Sequence, residues 1–185
     1  MLNALDFDLN DWIDYLATIG QAKFRAKQIY GWLHKGVKFE KMSNLPNTLV
    51  QKLKEDFNEN QVSVYKKLVS GKDGTRKYIF ALQDGNIIEG VLMSYKYGNT
   101  ICISTQVGCR MNCAFCASGL DGLVRNLTAG EMVGEVLAVN NDLGNGDRQI
   151  TNIVLMGSGE PLDNYDNVLK FINMISDANG INISK

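Results

Sequence analysis

TICISTQVGCRMNCAFCASG, residues 100–119, opens as an apolar strand and runs straight into a loop that gathers Cys109, Cys113 and Cys116 within eight positions. The chain has four cysteines in 185 residues, and the fourth, Cys102, lies in the strand itself. On either side of this stretch the sequence has a different rhythm. Ahead of it, VSVYKKLVS (62–70), TRKYIFAL (75–82), NIIEGVLMSY (86–95) and NTICIST (99–105) are β-rich runs separated by GKDG, QDGN and KYG. That spacing predicts antiparallel hairpins. Behind it, RNLTAGEMVGEVLAVNNDLG (125–144) predicts a helix with Thr128 as N-cap and Glu131 three residues on, a capping box. QITNIVLM (149–156) is then a continuously apolar strand, GSGEP (157–161) a glycine-rich turn, and NYDNVLKFINMISDANG (164–180) a second amphipathic helix. This βαβα order predicts an α/β fold with a parallel sheet. In such sheets ligands gather at the carboxyl ends of the strands, where both the cysteine loop and GSGEP fall, so the two loops are expected to be neighbours.

The N-terminal third reads differently again. DFDLNDWIDYLATIG (6–20) predicts a helix begun by Asp8 or Asn10 and stopped by Gly20. QAKFRAKQIYGWLHKG (21–36) predicts a second ending near Gly36, and LPNTLVQKLKEDF (45–57) a third, with Pro46 in its first turn and Leu49, Leu53 and Phe57 on one face. The expected organisation is a small helical domain over residues 1–60, a β-hairpin region over 61–98, and a parallel βα region over 99–185, which the resemblance drawn below makes the first part of a barrel.

Charge and composition limit what the chain does. The net charge of −1 conceals an asymmetry: residues 20–80 carry thirteen Lys or Arg against five Asp or Glu, and residues 101–185 carry five against nine. A basic first half suits a polyanion such as RNA. No run of eighteen apolar residues occurs, and MLNALDFDLNDW has aspartates where a signal peptide needs a basic start and an apolar stretch, so no membrane association and a cytoplasmic location are expected. Thiols stay reduced there, and clustered cysteines then hold a metal or do catalysis more often than they form disulfides.

Cx3CxxC offers three thiolates, enough for three irons of a [4Fe-4S] cluster with the fourth iron open to a substrate. S-adenosylmethionine (SAM) can chelate such an iron through its amino and carboxylate groups. The competing use is a zinc site with Cys102 as fourth ligand. Zinc sites usually bring two CxxC-like pairs or histidines, and the one histidine, His34, belongs to a distant helix end where an exposed or capping role is expected. By residue type alone, Cys102 reads as a buried strand thiol, Glu89 as a solvent-facing strand carboxylate and GSGEP as a plain strand-to-helix turn.

The cysteine pattern, with aromatic Phe115 before its last member and a strand ahead of it, resembles the radical SAM superfamily. FRAKQIYGWLHKG (24–36), MSNLP (42–46), DGTRKYIFAL (73–82), IEGVLM (88–93), the 100–119 stretch, RNLTAGEMV (125–133) and MGSGEPLDN (156–164), in that order, resemble its RlmN/Cfr family of RNA adenine methyltransferases. The resemblance implies a partial radical SAM (βα) barrel and a [4Fe-4S] cluster on Cys109, Cys113 and Cys116. It implies that Gly159 and Glu160 hold SAM, the glutamate through the amino group, and it puts Phe115 with the cofactor contacts. It makes Cys102 the residue that resolves a covalent RNA adduct, and Glu89 an active-site proton acceptor in contact with the target base. The implied partners are 23S rRNA and tRNA, with flavodoxin or ferredoxin as one-electron donor. The family's methyl-carrying cysteine, near the C-terminus, has no counterpart before the final INISK, so the chain is expected to be the N-terminal part of a longer enzyme. Ser158 stands where the family usually has methionine, and Pro161, commonly alanine in the carbon-8 enzymes, favours carbon 2 of adenine.

Overall fold

A computed structural model of the chain describes residues 1–59, 62–144 and 149–185. A two-residue strand, β1 (Leu2–Asn3), leads to α1 (Leu9–Thr18). Asp8 caps α1 by accepting the amides of Asn10 and Asp11, while Asp11 accepts the Asp8 amide in return, which satisfies donors that a helix start otherwise leaves open. α2 (Phe24–Leu33) follows, then α3 (Asn47–Asp56), with Pro46 at its N-cap, and β2 (Phe57–Asn58), which pairs parallel to β1. The three helices close over Trp12, Leu16, Ile29, Leu49 and Leu53. The rings of Phe7, Trp12, Tyr15 and Phe57 pack with centres 4.8 to 6.4 Å apart. This face is what holds helices of ten residues, too short to persist alone in water.

His34 corrects an expectation. It is the C-cap residue of α2, but its ring is buried rather than exposed, packed at a tilt of 31° on Tyr30 with 4.0 Å between centres and covered by the chain at Gly180. Both its ring nitrogens lack a hydrogen-bond partner. Burial pulls its pKa down to about 4, so the ring is neutral over the ordinary pH range.

The predicted hairpins form as β3 (Val62–Val69), β4 (Arg76–Leu82), β5 (Ile87–Tyr95) and β6 (Gly98–Cys102), each antiparallel to the one before. After β6 come β7 (Gln106–Gly108) and β8 (Leu123–Asn126), a separate antiparallel ribbon with the cysteine loop between its strands. α4 (Ala129–Leu143) then carries the chain to β9 (Ile150–Val154), which pairs parallel to β6, and α5 (Tyr165–Ser176) follows. Thr128 and Glu131 make the predicted capping box of α4.

The main sheet has the order β3-β4-β5-β6-β9, so the hairpins and the parallel βα unit share one sheet through β6. The expected limit at 60/61 lies outside the described residues, and the one at 98/99 falls at the first residue of β6. Strand alternation gives the sheet two unlike faces. Tyr78, Phe80, Ile88, Leu92 and Ile101 are buried in one core with Met132, Val133 and Val136 of α4. Glu89, Val91 and Cys102 share the opposite face, because Val91 is paired directly with Cys102 and Glu89 lies two residues along the same strand. The helical region is tied to the αβ layer by Asp6, which accepts the Gly130 amide at 2.7 Å, by a Lys170–Asp11 ion pair at 2.7 Å, and by Tyr30 donating to the Met174 carbonyl at 3.1 Å. No helix among the described residues is long and apolar enough to cross a membrane.

Candidate active site

The two loops singled out from the sequence are stitched together at the end of β6. Ile103 donates to Val154 and accepts from Gly157, and Thr105 and Gln106 both donate to the Ser158 carbonyl, at 2.8 and 3.2 Å. The parallel ladder thus continues past the strands and brings GSGEP against the entry to β7. Ser158 also lies beside the cysteine loop, its hydroxyl 3.3 Å from that of Ser118. Gly159 adopts φ +103°, and a Cβ there would fall 2.6 Å from the Cβ of Gln106, so conformation and space both demand glycine. Glu160 caps the short turn Pro161–Asn164, one carboxylate oxygen accepting the Leu162 amide at 3.0 Å.

On the cysteine loop, Gly108 at φ +72° turns the chain out of β7 so that the Cys109 amide reaches the Gly122 carbonyl at 3.0 Å. Cys109 is buried, whereas Cys113 and Cys116 are exposed and Phe115, 93 % exposed, stands in solvent beside them. The Cys116 amide donates to the Cys113 carbonyl at 3.0 Å, closing the intervening turn. Hydrogen bonds from Ser118, first its backbone and then its side chain, pull the Cys116 thiol down toward the thiolate. Among the described residues no three His, Cys, Asp or Glu side chains converge as a metal site, so the thiols share a loop without being gathered on one point. The donor set itself suits an iron–sulfur cluster: three sulfurs, a thiol eased toward ionisation, and no histidine or carboxylate between Cys109 and Cys116.

Cys102 and Glu89 lie on the sheet rather than on the loops. Burial pushes the Cys102 thiol up, opposed by a hydrogen bond with the Met156 backbone. The Glu89 carboxylate is half exposed and pairs with Lys77 at 2.9 Å, while its carbonyl accepts the Ser104 hydroxyl at 2.8 Å. Other residues at the site escaped the sequence reading. Ser104 is wholly buried and also accepts the Ser158 amide, at 3.0 Å. Glu135 of α4 is buried beneath it, one oxygen accepting the Ser104 amide at 3.2 Å and the other without a partner, and burial drives its pKa well up. Gln106, Arg110 and Asp163 form a line of polar contacts between the loops. Only the run of residues just before the cysteines hinted at Ser104 and Gln106.

These elements define a class: an α/β chain with the fold of the radical SAM methyltransferases. The crystal structure of a radical SAM methyltransferase from Sphaerobacter thermophilus matches it with a TM-score of 0.90 at 37% sequence identity, over 99% of this chain and 54% of that one. Residues 2–58 match the family described as ribosomal RNA large subunit methyltransferase N-terminal domain. Proteins of Clostridium novyi (strain NT) and Clostridium perfringens (strain 13 / Type A), each named "Probable dual-specificity RNA methyltransferase RlmN", are 50% and 52% identical over 187 residues. They are matched by all of this chain and over 54% and 53% of their own lengths. The chain is similar along its whole length to these RlmN-named proteins, and it spans about half the length of the curated relatives it matches.

Proposed function

We propose that the protein carrying this chain methylates carbon 2 of an adenine in RNA, with 23S rRNA and tRNA as substrates and flavodoxin or ferredoxin as electron donor. The observation that supports this most is the lacing of the cysteine loop to the Gly159–Glu160 turn at the end of β6, with Glu89 and Cys102 together on the face not used by the core. Cys109, Cys113 and Cys116 would hold a [4Fe-4S] cluster, which when bound would supply the electron for reductive cleavage of SAM. The Glu160 carboxylate accepts a charge-assisted hydrogen bond from the ammonium of SAM, Gly159 keeps the approach clear, and Phe115 covers the bound molecule. Glu89 accepts a proton at the target base, leaving Lys77 to do so. Cys102 releases the methylated RNA from its covalent adduct.

Anaerobic reconstitution with iron and sulfide tests this. A brown protein with about four irons per chain that cleaves SAM and yields 2-methyladenine in RNA is expected. Cys102→Ala should keep its iron and still cleave SAM while RNA accumulates covalently on the protein. Glu89→Gln should slow methylation by about a hundredfold or more, in the range of one lost acid–base group. Stoichiometric zinc that iron and sulfide cannot displace, with no SAM cleavage, would overturn the proposal, and loss of iron from Cys102→Ala would make that residue a ligand.

A further inference from the structure

Gln106 is wholly buried where the two loops meet, and its side-chain amide is fully engaged. Nε2 donates to Asp163 and to Asn126, each at 2.8 Å, and Oε1 accepts the Glu160 amide at 2.9 Å. Both donors and the carbonyl of the group are therefore used, each on a different residue. Asp163 carries the line onward to Arg110, the residue after Cys109. The Arg110 Nε reaches the two carboxylate oxygens at 3.1 and 2.9 Å, and Nη2 completes a forked pair. The guanidinium is 62% exposed and the carboxylate only 12%.

The outer end of this line, at Arg110, adds little to holding the loops on the fold. Asn164 does that, donating to the Thr105 and Leu127 carbonyls at 2.8 Å, as does the Ser158 amide on Ser104. An ion pair with an exposed guanidinium contributes little to stability. What the contacts do fix is the distance between the Glu160 main chain and the first cysteine.

We propose that Gln106 is a positioning residue which, through Asp163 and Arg110, sets the Glu160 turn against the cysteine loop so that both can grip the amino-acid end of one SAM molecule. This rests on the assignment of Glu160 and the cysteines given above. Gln106→Glu is the sharpest probe, because its carboxylate still accepts the Glu160 amide but faces Asp163 with like charge and no donor. In protein loaded with iron and sulfide, it is expected to bind SAM at least tenfold more weakly by calorimetry and to show a smaller change in the cluster's electron paramagnetic resonance on SAM addition. Iron content should match wild type, and the buried like-charge pair should lower the melting temperature. Adding Asp163→Asn returns a donor opposite the new carboxylate but gives up the ion pair with Arg110, so it should recover the part of the affinity lost to like-charge repulsion and no more. Arg110→Ala, at an exposed position that folding tolerates, should weaken SAM binding several-fold at unchanged melting temperature. Unchanged affinity in Gln106→Glu or Arg110→Ala overturns the proposal, and so does a loss of binding in Gln106→Glu that Asp163→Asn does not relieve. Wild-type protein that binds no SAM overturns the proposed function itself, whereas variants that bind as well as a competent wild type overturn this inference alone.

Discussion

His34 and Glu135 are both buried where the charged form is disfavoured, and they respond to pH with opposite sign. His34 has its folded pKa below the ordinary 6.5, at about 4. Below pH 6.5 the unfolded chain takes up a proton that the folded chain refuses, so stability is full above that value and is lost as pH falls toward 4, by up to about 3 kcal/mol. Glu135 has its pKa raised above the ordinary 4.5, so the unfolded chain releases a proton the folded one keeps, and stability falls as pH rises through and beyond that value. Denaturant melts between pH 4 and 8 should show His34→Phe losing the acid-side decline and Glu135→Gln gaining stability at pH 7; parallel curves for wild type and both variants would refute the assignment. Neither burial could be read from the chain, since a histidine after a helix and a glutamate within one are usually solvated. The cysteine spacing was legible because its chemistry is local. Gln106 and Asp163 meet across fifty-seven positions, and no local pattern announces such a pair.

Thr128, one residue ahead of α4, shows the opposite case, a structural decision written within four residues. Its hydroxyl accepts the Glu131 amide at 3.2 Å, and Glu131 returns the contact at 3.0 Å while also taking a forked pair from Arg125. Thr128→Ala should cost about 1 kcal/mol in equilibrium unfolding. Arg125 extends the same grip to Asp84 in the β4–β5 turn, and the guanidinium holds that carboxyl down at about pH 2. The cost of a second substitution, Arg125→Ala, should not be additive with it, since the two share Glu131. The hairpins were equally legible, each turn marked by glycine between alternating runs. The β7–β8 ribbon was not, because strands of three and four residues carry no measurable period and their pairing spans the whole cysteine loop. The parallel partnership of β6 with β9 followed from the helix between them, which is long enough to return the chain in the same direction.

Across the whole molecule, the basic excess between residues 20 and 80 divides once the fold is known. Lys67, Lys77, Lys52 and Lys54 are paired with Asp142, Glu89, Asp56 and Glu40, and Arg25 donates to Gln28 and the Asn44 carbonyl. Lys23, Lys27, Lys35, Lys38 and Lys41 are exposed on the helical region. If that region meets RNA through its backbone, neutralising Lys23, Lys27 and Lys38 should weaken binding on all sequences and lower the salt slope by about one for each phosphate left without its cation, with a smaller effect at Lys67. Equal slopes for wild type and the triple variant would make this face ordinary solvated surface. Composition revealed the sign of the charge but not which cations were already engaged, because ion pairs join residues far apart in the chain. The sheet order has its own bearing on how such a protein can be recombined. β6 is bonded on one side to the last hairpin strand and on the other to β9, so a crossover between homologues at residues 98 and 99 would have to rebuild a ladder whose two halves come from different parents. Cross-strand pairs such as Val91 with Cys102 are inherited together or mismatched, and the hairpins with their first parallel strand therefore form the smallest block that can be exchanged without remaking a seam.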